Sequence, residues 1–206
     1  MQLVARTLVE RYKISREASR DELQRKYGKR VVFAHEALMC SYKRELRSMI
    51  PELDITSSFK PKFIVGEIVE RGVEEYMAKL GFKKVDKICV MEFEDLVVAG
   101  SPDYASEDWR TVVDVKYSST PKIREHHIKR VQMYMTLCGS EKGALIYISP
   151  RGVISYETSQ PLSSKEIVFH ATTRVAPKWQ WECDYCEFKE FCTIRAINLR
   201  RAKEVR

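Results

Sequence analysis

Residues 100–116 read GSPDYASEDWRTVVDVK, and this stretch decides how the rest of the chain is interpreted. The apolar runs Leu96–Ala99 and Thr111–Val115 flank a polar turn, a pattern that predicts a β-hairpin. Asp103 follows the first predicted strand, and Asp114 lies within the second. The hairpin is therefore expected to bring one carboxylate from each strand to the same place.

The predicted hairpin has two interpretations. Asp114 and Lys116 are two residues apart in a strand and share a face, where Asp103 is expected to join them. Carboxylate oxygens suit a hard cation such as Mg²⁺ or Mn²⁺, and a neighbouring ammonium suits a phosphate group or an attacking water. The alternative is a surface hairpin that carries an isolated salt bridge and no chemistry.

The composition is that of a soluble globular chain. Its 206 residues are 44% hydrophobic and 32% charged, enough for one domain with a substantial core. The first residues, MQLVAR, lack a signal-peptide hydrophobic region and no apolar run reaches membrane-spanning length, so we expect a cytoplasmic protein with no membrane partner. The net charge of +7 permits a nucleic-acid partner, although basic side chains more commonly solvate helix faces.

The hydrophobic pattern predicts helices, then about three strands, a helix, two strands and a cysteine-bearing C-terminal lobe. Helices are expected over residues 1–13, 15–27, 31–49, 61–80, 122–137 and 163–173, and strands over 85–94, 143–149 and 153–156. The helix over 61–80 is expected to bury one stripe: Ile64, Ile68, Val73, Tyr76, Met77 and Leu80. The predicted fold class is α/β or α+β, with a mixed central β-sheet flanked by helices.

Six cysteines in a chain expected to be intracellular argue against a disulfide framework and for metal or redox chemistry. Three of them form a C-x2-C-x5-C group: Cys183, Cys186 and Cys192. The other three are scattered: Cys40, Cys89 and Cys138. By position alone, Cys40 in the middle of a predicted helix and Cys89 in a predicted strand are most simply small core residues.

The motifs resemble those of a known group of nucleases. Gly100–Asp103, Asp114-Val-Lys116 and a following helix with Gln132 resemble the RecB-like branch of the PD-(D/E)xK nucleases, which have a restriction-endonuclease-like core. One cysteine before that core and a C-x2-C-x5-C group after it are similar to the Cas-four family, the iron–sulfur exonucleases associated with CRISPR adaptation. The resemblance covers the chain from about Cys40 to Cys192.

The resemblance implies two sites. The catalytic site would contain Asp103 and Asp114 as ligands of Mn²⁺ or Mg²⁺, Lys116 as the catalytic lysine, and Gln132. The second site would be a 4Fe-4S cluster, a group held by cysteine thiolates. Its ligands would be Cys40, Cys183, Cys186 and Cys192. Cys₄ spacing alone suits zinc equally well.

The resemblance also implies how the chain is divided. We expect a single nuclease domain over residues 1–206, with its core at about 58–160. Residues 31–50 and 177–206 would together form the cluster lobe, which joins the N-terminal and C-terminal segments.

Two positions depart from the family pattern. The family has a glycine followed four residues later by a metal-binding histidine, whereas Gly66 is followed by Glu70. Glu70 is therefore expected to be a third, carboxylate ligand of the divalent ion. The family's glutamine is followed four residues later by a tyrosine, whereas Gln132 is followed by Thr136.

The function that the resemblance implies is metal-dependent cleavage of single-stranded DNA, as a 5′ to 3′ exonuclease that processes DNA for CRISPR spacer acquisition in antiviral defence. The CRISPR integrase complex is an implied partner, and an oligomer is compatible with that role. One alternative is a non-catalytic or weakly active iron–sulfur or zinc protein that binds DNA. Another is a related nuclease of a virus or mobile element. Trp179 and Trp181 would either stack on the DNA strand or shield the cluster.

Overall fold

The structure, a computed structural model, describes residues 18–50, 61–120 and 122–195. Its helices are residues 18–27 (α1), Ala34–Ala37 (α2), Ser41–Met49 (α3), Pro61–Gly72 (α4), Glu74–Lys79 (α5), Glu125–Cys138 (α6) and Ser164–Thr172 (α7). Its strands are Arg30–Phe33 (β1), Phe82–Lys84 (β2), Cys89–Glu92 (β3), Leu96–Gly100 (β4), Tyr104–Ser106 (β5), Thr111–Tyr117 (β6), Lys142–Ser149 (β7) and Gly152–Thr158 (β8). The predicted helix over 1–13 and the start of the helix over 15–27 lie outside the described residues.

The strands form two mixed sheets. One has the order β1-β4-β3 and the other the order β2-β5-β6-β7-β8. β1 runs parallel to β4 and β6 runs parallel to β7, while the other neighbouring pairs are antiparallel. The predicted α/β class with a mixed sheet and flanking helices is confirmed, with two sheets where the sequence indicated a single central one.

The predicted hairpin is wrong in its pairing. Leu96–Ala99 belong to β4, which pairs with β1 and β3 and not with β6. β6 pairs instead with β5 and β7. The chain passes from the smaller sheet to the larger one between β4 and β5, where Pro102 has no N–H to continue a ladder. At this crossing, Asp103 N donates to Val113 O at 3.0 Å. Asp103 therefore lies at the junction of the two sheets.

Helix α6 packs closely on the larger sheet. A Cβ atom added at Gly143 of β7 would lie 2.4 Å from Val131 Cγ1 and 2.8 Å from Met135 Sδ. Only a glycine leaves enough space at position 143 for α6 to come this close to the strand. The close contact holds α6 directly over β6 and β7. Val113 and Val115 of β6 pack on the opposite side, in a cluster with Met77. The face of β6 that carries Asp114 is consequently the face that α6 covers.

The predicted helix over 31–49 is wrong in its first half. Residues Arg30–Phe33 form a strand, consistent with the β preference of Val31 and Val32. Two helices follow, and the second begins directly after Cys40. Cys40 therefore precedes the first residue of α3 and does not lie in the middle of a helix.

The predicted helix over 61–80 is two helices, and most of its predicted stripe is not buried. Val73 separates α4 from α5, after Gly72, a residue with low helix propensity. Met77 is buried, but Ile68, Tyr76 and Leu80 are 63%, 66% and 72% exposed. The cluster under α5 contains only Met77 and the half-buried Val73 from this stripe. The side chain of Ile64 lies outside the description.

Other predicted elements agree with the structure. α6 ends at Gly139, whose φ of 72° is a left-handed conformation that glycine adopts without strain. α7 begins with a capping box, in which Ser163 N donates to Glu166 Oε2 at 2.8 Å. β7 and β8 form the expected strand pair, whereas the strand predicted over 85–94 is limited to Cys89–Glu92. None of the helices in the described ranges is long and apolar enough to cross a membrane.

Two of the scattered cysteines form a disulfide, contrary to the prediction. Cys89 of β3 is bonded to Cys138 at the end of α6, with their Cα atoms 5.2 Å apart. The two residues are 49 positions apart, and they meet because α6 packs across the smaller sheet. Cys89 is therefore not a free core thiol. The disulfide links β3 to α6, the helix that packs on both sheets.

Candidate active site

Three of the predicted site residues come together at the junction of the sheets. Lys116 Nζ lies 3.0 Å from Asp114 Oδ1 and 3.3 Å from Asp103 Oδ2. Asp103 Oδ2 also accepts a hydrogen bond from Val115 N at 2.6 Å, which fixes the carboxylate against β6. Asp114 is buried, with 2% of its side chain exposed, while Asp103 and Lys116 remain 16% and 22% exposed. The part of the site that solvent reaches is therefore the side of Asp103 and Lys116.

Arg130 of α6 is a site residue that the sequence analysis missed. Its NH2 group lies 2.7 Å from Asp114 Oδ2, so the two oxygens of this carboxylate face two different cations. Arg130 Nε is buried and has no hydrogen-bond partner. The buried guanidinium thus holds Asp114 with one nitrogen and has a second donor that a bound group could satisfy.

Tyr134 lies one turn after Arg130 on the same side of α6. Its ring packs against Gly100, where an added Cβ atom would lie 2.7 Å from Tyr134 Cε1. A side chain at position 100 would therefore displace this tyrosine. Arg130 and Tyr134 have the four-residue spacing that the family pattern places between its glutamine and its tyrosine.

The structure does not bring Gln132 to Asp114. Residues two apart on a helix do not share a face, so Gln132 cannot point the same way as Arg130. Its backbone oxygen accepts hydrogen bonds from Leu162 N at 3.2 Å and from Thr136 Oγ1 at 3.4 Å. Arg130 and Tyr134 are four residues apart in the sequence, as the family's glutamine and tyrosine are. This spacing could have identified the side of α6 that faces the site.

Glu70 lies beside the same group of charges. Burial and the negative charge of Asp103 raise its pKa to about 7, with Lys116 acting in the opposite direction. Its backbone oxygen accepts a hydrogen bond from the Tyr104 hydroxyl at 2.5 Å, which ties α4 to β5. The structure therefore places Glu70 close enough to Asp103 for the two carboxylates to affect each other's ionisation.

The two aspartates differ in their electrostatic surroundings. Burial works against ionisation of Asp114, but the charges of Arg130 and Lys116 outweigh it and hold the pKa of Asp114 at about 2. Burial raises the pKa of Asp103, and Lys116 only partly opposes that effect. Asp114 is therefore a stable anion, whereas Asp103 and Glu70 carry negative charge at an energetic cost.

The carboxylates fit a hard cation by their chemistry. Oxygen donors are those that Mg²⁺ and Mn²⁺ prefer, and a cation would offset the crowding that raises the pKa of Asp103 and Glu70. Within the described residues, however, no group of three or more His, Cys, Asp or Glu side chains is close enough to hold a metal ion. Lys116 and Arg130 contact both oxygens of Asp114 in this arrangement.

The four cysteines outside the disulfide line one pocket. This pocket is partly open to solvent. Its thiols are those of Cys40, Cys183, Cys186 and Cys192. Burial raises the pKa of Cys183, and the neighbouring Cys192 and Cys186 raise it further. The cationic side chains of Lys43, Lys189 and Arg195 also line the pocket.

Glu182 connects the two segments that supply these cysteines. Its carboxylate is buried and accepts hydrogen bonds from Cys40 N at 2.8 Å, from Lys178 N at 2.8 Å and from Trp179 N at 3.0 Å. Trp179 Nε1 donates to Leu38 O at 2.7 Å, across the same junction. Segments that are more than 130 residues apart in the chain are thereby held together around the thiols.

Comparisons with known proteins agree with the motifs. No family model matches the chain. The chain is 26% identical over 178 residues to the CRISPR-associated exonuclease Cas4 of Saccharolobus solfataricus, a match that covers 80% of this chain and 88% of that protein.

Solved structures with a similar fold were also found. SSO0001 superposes with a TM-score of 0.72 at 26% identity, over 79% of this chain and 86% of that chain. The alkaline exonuclease LHK-Exo of Laribacter hongkongensis, at 15% identity and a TM-score of 0.51 over 92% of this chain and 97% of that one, shares the fold. The resemblance that the motifs carry is thus confirmed: over most of its length the chain is similar to a CRISPR-associated exonuclease Cas4.

Proposed function

We propose that this protein is a metal-dependent deoxyribonuclease. The observation that carries the proposal is the convergence of two carboxylates on one ammonium at the junction of two sheets: Lys116 Nζ lies 3.3 Å from Asp103 Oδ2 and 3.0 Å from Asp114 Oδ1. The similarity to a Cas4 exonuclease over 80% of the chain supports the same activity. Asp114 and Lys116 lie on a central strand of the larger sheet, a rigid support of the kind that a catalytic site needs.

Asp103 and Asp114, with Glu70 beside them, would hold the divalent ion. When bound, Mn²⁺ or Mg²⁺ supplies Lewis acidity toward the oxygens of a phosphodiester. The raised pKa of Asp103 and of Glu70 supports this assignment, because buried negative charges that repel each other are stabilised by a cation. Asp114, ionised down to a pH of about 2, would be available as an anionic ligand across the usable pH range.

We propose that Lys116 stabilises charge on the substrate. Its Nζ lies between one oxygen of Asp103 and one oxygen of Asp114, on the exposed side of the site. We infer that it orients the attacking water and the scissile phosphate. The attacking water gives up a proton to solvent as its oxygen bonds to phosphorus, the bond to the leaving sugar oxygen breaks, and that oxygen takes up a proton from solvent.

The four cysteines are proposed to hold a 4Fe-4S cluster. Four free thiols in one pocket fit the ligand count of such a cluster. Zinc remains the alternative for a Cys₄ site. The cluster would stabilise the junction that Glu182 already makes between the segments at Cys40 and at Cys183.

The finer function follows from the family resemblance. We propose that the substrate is single-stranded DNA, cleaved from the 5′ end, and that the products serve CRISPR spacer acquisition together with the integrase complex in the cytoplasm. The proposed organisation is one nuclease domain with its core at about 58–160 and a cluster lobe formed by 31–50 and 177–206. Gln132 is a lesser candidate for the site than Arg130.

One observation favours a second candidate, a DNA-binding protein with little catalysis. Both oxygens of Asp114 are engaged by cations of the chain itself, Lys116 and Arg130, at 3.0 and 2.7 Å. A divalent ion would have to compete with these contacts. If it does not succeed, the basic chain would still bind DNA through its phosphates.

Cleavage of end-labelled DNA distinguishes the two candidates. Anaerobically purified protein is incubated with single-stranded DNA that carries a label at either the 5′ or the 3′ end, with Mn²⁺, Mg²⁺ or chelator. The proposal predicts metal-dependent cleavage, with mononucleotides released first from the 5′-labelled strand. Intact DNA in every lane, together with a gel shift, would favour the binding protein.

A further inference from the structure

Three aromatic rings and one guanidinium lie together at the start of α6 and are here called the aromatic platform: His126, Trp181, Tyr185 and Arg124. The His126 and Trp181 ring centroids are 4.7 Å apart, and the Trp181 and Tyr185 centroids are 6.4 Å apart. The guanidinium carbon of Arg124 lies 5.7 Å from the centroid of Trp181, in a cation–π contact. Tyr185 is 63% exposed, so the platform reaches the surface.

The platform is next to the candidate active site. His126 and Arg130 are four residues apart on α6 and lie on one side of it, about 6 Å apart along the axis. The Tyr147 hydroxyl fixes the start of this helix, because it is hydrogen-bonded to His127 Nδ1 and accepts from Arg124 N at 3.2 Å. The position of the platform relative to Asp114 is thereby set by a rigid helix.

The two tryptophans of the lobe differ in their environment. Trp179 makes structural contacts, with its Nε1 donating to Leu38 O and its backbone N donating to Glu182. The Trp179 ring centroid lies 5.8 Å from that of His126, whereas the Trp181 centroid lies closer to it, at 4.7 Å. The ring of Trp181 also contacts Arg124 and Tyr185. The residues that line the cysteine pocket include neither tryptophan. A role in shielding the thiols therefore does not account for Trp181.

We propose that the aromatic platform is a stacking site for a base of single-stranded DNA, next to the proposed cleavage site. The inference rests on the proposed function and adds the position at which the protein binds the DNA strand. Single-strand binding sites combine aromatic rings, on which any base can stack, with cations that contact the backbone. The platform has both, since Arg124 lies against Trp181 and Arg130 follows on the same helix.

The chemistry of the platform suits a base of any sequence. Burial and the charge of Arg130 lower the pKa of His126 to about 4, so its ring is neutral at pH 7 and adds an uncharged π surface beside Trp181. No paired strand is needed for stacking on a ring, and a paired base would not be available to it. A base stacked on Trp181 would fix the distance from the strand end to the scissile phosphate.

The test measures binding in chelator, so that it does not depend on cleavage. The probe is a fluorescently labelled single-stranded oligonucleotide, compared with one of equal length in which abasic sites replace the bases. For the wild type, we expect the abasic oligonucleotide to bind about tenfold more weakly, the effect of losing a stacked base. Trp181→Ala should bind the normal oligonucleotide about tenfold more weakly than the wild type does, and its affinity for the abasic oligonucleotide should be almost unchanged.

Three further variants make the test specific. Trp181→Phe should restore most of the affinity, because phenylalanine retains a stacking ring. Tyr185→Ala, at an exposed position, should weaken binding by a smaller factor without affecting folding. Phe169→Ala removes a comparably exposed aromatic ring, at 57%, from α7 and should leave both affinities unchanged. Circular dichroism verifies that each variant is folded.

Either of two results would overturn the proposal. One is equal binding of the normal oligonucleotide by the wild type and Trp181→Ala. The other is an equal loss for normal and abasic oligonucleotides, which would indicate an effect on charge or folding and not on stacking. A wild type that binds as expected but never cleaves would refute the proposed function and leave the stacking site intact.

Discussion

Arg130 NH2 lies 2.7 Å from Asp114 Oδ2, and this buried ion pair joins α6 to the central strand that carries the candidate site. Only 2% of the Asp114 side chain and 17% of the Arg130 side chain are exposed. The pair therefore has a structural role, and it also determines how freely Asp114 can accept another cation. Removing Arg130 is expected to affect stability and metal binding in opposite directions.

Arg130→Gln should destabilise the protein by about 3 kcal/mol, because removing one partner leaves a buried carboxylate with fewer charges to compensate it. The same variant should bind Mn²⁺ more tightly, since Oδ2 of Asp114 is released. Denaturant unfolding and calorimetric titration with Mn²⁺ measure the two effects. Arg110→Gln breaks an exposed pair with Glu141 and serves as the control, with an expected loss below about 1 kcal/mol. Weaker Mn²⁺ binding by Arg130→Gln would contradict this role.

Glu70 should make stability fall as the pH rises. Its folded-state pKa of about 7 lies above the ordinary value of 4.5, so the folded protein binds this proton more tightly than the unfolded chain does. The stabilisation is complete below about pH 4.5 and is lost as the pH approaches and passes 7. In chelator, the free energy of unfolding should therefore decrease between pH 5 and 8, and Glu70→Gln should remove most of that decrease.

Glu75→Gln is the matched control for Glu70, because Glu75 is 77% exposed and pairs with Lys79 on the surface of α5. Its unfolding free energy should follow that of the wild type at every pH. An unchanged pH profile in Glu70→Gln would show that Glu70 does not have a raised pKa. Mn²⁺ should flatten the wild-type profile, since the bound ion would favour the ionised carboxylate.

Cys186→Ser tests the proposed cluster independently of activity. The anaerobically purified wild type should be brown and contain iron, and the variant should lose both its visible absorbance and most of its iron. Its unfolding temperature should also fall, because ligands on separate segments no longer share one cluster. Tyr185→Phe, next to Cys186, should retain colour and iron. A colourless wild type that contains zinc would rule out the iron–sulfur assignment.

The Cys89–Cys138 bond should stabilise the fold. It closes a loop of 49 residues, and chain-entropy arguments give about 4 kcal/mol for a loop of that length. Cys138→Ser should therefore lower the unfolding free energy by about that amount, and reductant should lower it in the wild type but not in the variant. Thiol titration of the unfolded protein counts the free cysteines. Equal stability of the oxidised and reduced wild type would be evidence against a structural disulfide.

The sequence could predict the central features of the site. Strand periodicity alone places Asp114 and Lys116 on one face, and the structure has their charged groups 3.0 Å apart. Asp103 was also found, even though the pairing of its preceding strand was wrong. Its position depends on the break at Pro102, which is local in sequence.

What the sequence could not show depends on how elements pack. The rotation of α6 about its axis decides whether Arg130 or Gln132 faces Asp114, and that rotation is set by the close approach of Val131 to Gly143. The bond between Cys89 and Cys138 likewise depends on α6 crossing β3. The exposed Ile68 and Tyr76 show the same limit, since a helical stripe indicates a face but not whether anything covers it.

Lys116→Ala tests the central claim that Asp103, Asp114 and Lys116 form a catalytic site. Cleavage of single-stranded DNA in Mn²⁺ is compared with the wild type and with Lys83→Ala, whose lysine is 72% exposed on β2, at protein concentrations that give equal DNA binding in chelator. The account predicts that Lys116→Ala loses at least about a hundredfold in cleavage rate, as expected for a group that stabilises transition-state charge, while Lys83→Ala retains the wild-type rate. Undiminished cleavage by Lys116→Ala would place the catalytic site elsewhere in the molecule.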